Sequence, residues 1–182
     1  MGKFVRLTML YSILAGLLPA VAAAQDDALA VNTVMIDGSL STAGQPDADT
    51  LGSLAERGYR LVVNLAPPQS RDAVHDESRL LGEDGVAYVN IPVDWQRPTL
   101  ADFALFSAVL DGADGRKTLV HCQMNMRASV FTFLYRVVHG GVAPDEAYEA
   151  VRSVWRPNGQ WAEFGAQVLE QHGIDFQFPP AE

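Results

Sequence analysis

The chain has 182 residues, 48% of them hydrophobic, and a formal net charge of -9. That apolar content is enough for one globular core and excludes a disordered acidic tail. The acidic balance argues against nucleic acid and anionic lipid surfaces as partners, which such a body would repel.

At the start of the chain, Lys3 and Arg6 precede an apolar stretch from Leu7 to about Ala20, followed by Val21-Ala22-Ala23-Ala24. A basic start, a short apolar run and small residues predict an export signal over residues 1–24, cut after Ala24. The run is short for a membrane span, which needs about 20 residues, so no membrane attachment is expected after cleavage. The expectation is a single domain over residues 25–182, exported to the periplasm.

Val31-Asn32-Thr33-Val34-Met35-Ile36 and Leu40-Ser41-Thr42-Ala43 predict two short strands around Asp37-Gly38. Gly44-Gln45-Pro46-Asp47 is turn material, and Asp47 or Asp49 caps a helix through Leu51, Leu54 and Ala55 that ends near Gly58. Tyr59 to Leu65 is a continuous apolar run suited to a strand buried on both faces. Asp72 to Leu81 carries a helical pattern, and Val86 to Val93 predicts a second buried strand. Thr99 caps a helix through Leu100, Phe103, Phe106 and Leu110 that ends around Gly112. Lys117 to His121 predicts a third buried strand, and Ala128 to Val138 is apolar nearly all round, as in a central helix. Pro144 opens a helix through Tyr148, Val151 and Trp155, and Trp161 to His172 forms the last. The alternation of strands and helices predicts an α/β fold, a mainly parallel central sheet flanked by helices.

Cys122 is the only cysteine, so it forms no internal disulfide. A lone cysteine is ordinarily a small buried hydrophobe; its place and neighbours point elsewhere. It follows a parallel strand and precedes a helix, where ligands gather and unpaired N–H groups are presented. A thiol there, close to a cation, is biased toward the thiolate. Arg127 supplies that cation and a planar fork that matches two phosphoryl oxygens. Asp94, in a loop just past a strand, is placed to act as a general acid. Asp102 is its rival, although a carboxylate three residues into a helix is well explained as a first-turn charge. His75, His139 and His172 are scattered without a ligand set at metal-binding spacing, so no metal and no cofactor is expected. Trp95, Trp155, Gln160 and Trp161 read equally as pocket walls and as core.

Val120-His121-Cys122-Gln123-Met124-Asn125-Met126-Arg127-Ala128-Ser129 resembles the phosphate-binding loop of cysteine-dependent tyrosine and dual-specificity phosphatases. Ala43-Gly44-Gln45-Pro46, Ile91-Pro92-Val93-Asp94 and Trp155-Arg156-Pro157-Asn158 extend the similarity to a bacterial group of that superfamily, over most of residues 40 to 165. The resemblance implies a dual-specificity-phosphatase-like fold and a phosphomonoester hydrolase with Cys122 as nucleophile, Arg127 as oxyanion clamp and Asp94 as acid. The amides of Gln123, Met124, Asn125 and Met126 would bind the phosphoryl group, with His121 and Ser129 in support. The substrate would be a phosphorylated protein, a phosphoinositide or a small phosphate ester. This loop departs from the family's: four residues, not five, separate Cys122 from Arg127, none is glycine, and Ala128 stands where the family has Ser or Thr. Asn125, which tolerates positive φ, takes the place of the glycine. A four-residue spacing also resembles rhodaneses, sulfurtransferases that carry a persulfide, and a shortened loop would equally suit an anion binder without turnover.

Overall fold

The computed structural model describes residues 1–2 and 28–180. The expected export signal falls, apart from its first two positions, outside the described residues. The strands are β1 (Val34–Met35), β2 (Leu40–Ala43), β3 (Leu61–Asn64), β4 (Ala87–Asn90) and β5 (Thr118–His121). The helices are α1 (Ala48–Ser53), α2 (Glu77–Glu83), α3 (Leu100–Asp111), α4 (Met126–Val138), α5 (Pro144–Arg152) and α6 (Gln160–Gln171). They build the expected α/β fold around one sheet ordered β1-β2-β5-β3-β4, parallel except for β1, which runs against β2.

Successive residues of β3 and β5 serve opposite faces, as the pleat requires. Val63 and Val120 pack into a core with Phe106 of α3, Phe131 and Leu134 of α4, Val151 of α5 and Phe164 of α6. Val62 and Leu119 pack the other way, with Leu51 of α1 and Leu81 of α2. Burial on both faces is why these strands read as unbroken apolar runs. Phe131 is fully buried and edge-on to Phe106; truncating such a ring costs about 3–5 kcal/mol.

Several boundaries differ from the expectation. β4 is an edge strand, half covered, and its pairing stops at Asn90. Beyond it Ile91 and Val93 still donate to Asn64 and Leu65 carbonyls, but Pro92 between them has no N–H to give. The helix expected from Asp72 starts at Glu77, because Asp72 takes φ 66, outside the helical region. Likewise Asn32 at φ 55 keeps the first of the expected residues out of β1, which covers Val34–Met35. Asp47 is the cap of α1, accepting from Thr50 N, and this contact holds its carboxyl below the usual carboxylate range despite slight burial.

The register brings Ala43, His121, Asn64 and Asn90 into one row at the carboxyl ends of four parallel strands. Cys122 is the first residue beyond that row.

Candidate active site

Cys122 leaves β5 with its N–H on the Ala43 carbonyl (3.3 Å), and α4 begins four residues later. In between, the chain reverses at Asn125, which adopts φ 66, ψ 0 and is fully buried. Its Nδ2 donates to Thr42 Oγ1 (2.9 Å) and to the Asn32 carbonyl (2.5 Å). Asparagine therefore does here what glycine would do for the backbone, and its side chain bolts the loop to β2 as well. The Gln123 carbonyl accepts from Gln45 N (3.1 Å), and the Met124 carbonyl from Asn32 Nδ2 (3.0 Å). Because a trans peptide opposes its C=O and N–H, the Met124 N–H points away from the Gly44–Gln45 turn. The first-turn amides of Met126, Arg127 and Ala128 have no intrahelical acceptor, so this end of α4 offers donors to an anion.

Arg127 is 8% exposed. Its Nε donates to the Val93 carbonyl (3.0 Å), and its guanidinium lies 5.3 Å from the Trp95 ring centroid. These two contacts fix the plane of the fork, a cation stacked on an aromatic face. Cys122, Arg127, Gln123, Met124, Met126 and Trp95 together line an open cleft of about 300 Å³. Cys122 is only 1% exposed, so its sulfur sits at the floor of that cleft.

Trp95 thus belongs to the wall, and it is held from behind. Its carbonyl accepts from Trp161 Nε1 (3.0 Å) and Gln160 Nε2 (3.4 Å), and its ring packs on Trp155 and Trp161. Ser129 connects this group to the loop: its Oγ donates to the Met126 carbonyl (3.0 Å) and accepts from Trp155 Nε1 (3.3 Å). The hydroxyl is committed to the base of α4 and not to the sulfur. Asp94 lies one residue from Trp95 but outside the cleft lining. Its carboxylate is 55% exposed, with Oδ1 accepting from Gln96 N (2.8 Å) and Oδ2 4.0 Å from Arg97 Nη2. Asp102 is occupied in a reciprocal capping box with Thr99.

Behind the nucleophile, the structure sets against His121 a residue that sequence reasoning missed, Glu77. His121 is fully buried, and its Nε2 lies 2.7 Å from Glu77 Oε1, off the ideal hydrogen-bond direction. Glu77 is 3% exposed, and its Oε2 accepts from Asn64 Nδ2 (3.0 Å) and the Tyr88 hydroxyl (3.2 Å). Burial, with the Glu77 charge second, pushes the Tyr88 phenol up to about 12. No sequence spacing links Glu77 to His121; only the packing of α2 on the sheet brings them together. Among the described residues no group of three His, Cys, Asp or Glu converges as a metal site would.

No family model matches the chain. The beta-lactamase hydrolase-like proteins of two Xylella fastidiosa strains are each 32% identical to it over 116 residues; the matched region is 62% of this chain, and the chain spans only 27% of the relatives' length. Among solved structures, Tk-PTP superposes with a TM-score of 0.62 at 22% identity, covering 78% of this chain and 95% of the other. TpbA of P. aeruginosa in complex with pTyr gives 0.55 at 22%, over 67% and 72%. At those identities the likeness shows the fold. A DUF442 phosphatase-group protein of Shewanella putrefaciens CN-32 gives a TM-score of 0.71 at 31% identity, over 78% of this chain and 90% of that one. With that identity over nine-tenths of the relative, the chain belongs to the DUF442 phosphatase group, and it shares its fold with Tk-PTP and TpbA.

Proposed function

We propose that this protein hydrolyses phosphomonoesters through a cysteinyl-phosphate formed on Cys122. The observation that carries the reading is one cleft, at the carboxyl edge of a parallel sheet, floored by a cysteine and flanked by an arginine at the start of the same helix. In the first step the Cys122 thiolate attacks phosphorus, a P–S bond forms, the P–O bond to the alcohol or phenol breaks, and Asp94 gives that oxygen a proton. In the second, water gives a proton to the Asp94 carboxylate as it attacks the phosphocysteine, the P–S bond breaks, and inorganic phosphate leaves with the thiolate and the acid restored. Arg127 holds two equatorial oxygens bidentately, and the amides at the start of α4 share the charge.

For Asp94 to reach a leaving group, its carboxylate must release the Gln96 amide and turn toward the cleft that Trp95 walls. A positioned acid of this kind contributes about 10²–10⁴-fold. The apolar faces of Trp95, Met124 and Met126 give the ester's organic part a surface. Support for a phosphate ester comes also from TpbA, solved with pTyr, and from the PP-IP phosphatase SIW14 of S. cerevisiae, which shares the fold. Export to the periplasm belongs to the same proposal, and N-terminal sequencing of protein from the native cell tests it.

The deciding experiment pairs two assays: phosphate released from an aryl phosphate, and thiocyanate formed from thiosulfate and cyanide. Phosphate release that Cys122→Ser abolishes supports the reading. Thiocyanate formation alone selects a rhodanese-like sulfurtransferase, and silence in both with phosphate still bound selects an anion-binding module.

A further inference from the structure

Glu77 joins three adjacent parallel strands: Asn64 and His121 at the carboxyl ends of β3 and β5, and Tyr88 within β4. The orientation of Asn64 is not free. Its Oδ1 accepts from the Ala66 N–H (2.8 Å), which can only donate, so Nδ2 is the group turned to Glu77. A carboxylate accepts and does not donate, and two bare acceptors do not sit 2.7 Å apart in a site closed to water. A proton therefore lies between Oε1 and Nε2 of His121. His121 is also pinned by its backbone, where its carbonyl accepts from Leu65 N (2.8 Å). Its side chain and its main chain are thus fixed at the last residue before Cys122. Neither buried ring nitrogen of His121 makes a well-aligned hydrogen bond among the described residues, and the 2.7 Å approach of Nε2 to Glu77 Oε1 is the polar contact that sets the ring.

From this arrangement we infer that Glu77 is a positioning residue for the nucleophile: it holds His121 with the proton on Nε2, and through that ring fixes the base of the Cys122 loop. The inference rests on the reading of Cys122 as the reacting sulfur but not on any substrate. Glutamine in place of Glu77 keeps the size yet can turn its amide to donate as well as accept, so it does not enforce the tautomer. Alanine removes the contact.

Two measurements test this without a phosphate ester, so that their failure is separable from failure of the phosphatase reading. The first is ¹⁵N imidazole NMR on the full wild-type chain, which needs no variant to fold. His121 is expected with its proton on Nε2; a proton found on Nδ1 alone overturns the inference. The second is the alkylation rate of Cys122 by iodoacetamide at fixed pH, specific because the chain has no other cysteine. Loss of this positioning contact should slow Glu77→Ala about tenfold, with Glu77→Gln between it and the wild type. A purely structural role predicts the opposite sign, since loosening the fold exposes a cysteine that is 1% accessible. Alkylation that is unchanged or faster in Glu77→Ala therefore overturns the inference.

Discussion

Gly44→Ala is the perturbation whose consequence follows most directly from the geometry. A Cβ at position 44 would stand 2.9 Å from the Gln123 carbonyl oxygen and 2.9 Å from that of Val31, and would overlap Val31 Cγ1. Both oxygens are backbone atoms, and each contact is about 0.5 Å or more inside a comfortable separation. The Val31 carbonyl accepts from Gly44 N (2.8 Å) and the Gln123 carbonyl from Gln45 N, so neither moves without loss of a hydrogen bond. Overpacking of this kind costs about 1–3 kcal/mol. In a domain of this size each kcal/mol lowers Tm by about 2–4 °C, which gives a fall of roughly 2–12 °C. The Gln123 side of the clash bears on the loop that carries Cys122. A shift of about 1 Å there lowers kcat/KM by roughly 100-fold, more than the stability loss alone would. Calorimetry and phosphate release from an aryl phosphate measure the two effects. Adding Val31→Ala removes only the Cγ1 overlap and should restore part of the Tm. A Gly44→Ala protein with wild-type Tm and wild-type kcat/KM would refute the close approach between this turn and the loop.

Asn125→Ala forces a β-carbon residue to stay at φ 66 and strips the bonds to Thr42 and Asn32, so it should cost about 2–4 kcal/mol by denaturant unfolding. Asn125→Gly, which keeps the backbone option, should lose less; equal losses would contradict the role given to φ. Asp94→Asn should slow aryl phosphates with poor leaving groups far more than those with good ones, and uniform slowing would remove Asp94 as the acid. Tyr88 keeps its proton to about 12, so the stability it contributes is present below the ordinary tyrosine value of about 10 and is lost as pH rises through about 12. The difference in phenolate absorbance between wild type and Tyr88→Phe should accordingly be small at pH 11, and a full tyrosinate signal from the folded protein there would contradict the buried contact with Glu77.

The strands β3 and β5 and the helix α4 were legible because burial on both sides leaves long apolar runs that no other element explains. Cys122 and Arg127 were legible because both lie in one short loop that ends a strand and opens a helix, so local spacing alone brings them together. The positive φ of Asn125 followed from the absence of glycine in that loop. Glu77, Asn64 and Tyr88 were not legible, since each belongs to a different element and they meet only through sheet register and the docking of α2. The assignment of Trp95 to the cleft wall was equally out of reach, because its neighbours Trp155 and Trp161 arrive from beyond α5. Asp94 illustrates a different limit: its place next to a strand end was readable, whereas the Asx turn with Gln96 that occupies its carboxylate is a matter of local side-chain geometry.

The proposed reaction turns on a covalent bond between Cys122 and the phosphoryl group. Rapid acid quench during turnover of an aryl phosphate, followed by peptide mass spectrometry, tests it most directly. A transient adduct of one phosphoryl group on the peptide containing Cys122, absent from Cys122→Ser together with phosphate release, is the expected result. Phosphate release that continues undiminished in Cys122→Ser would contradict the account.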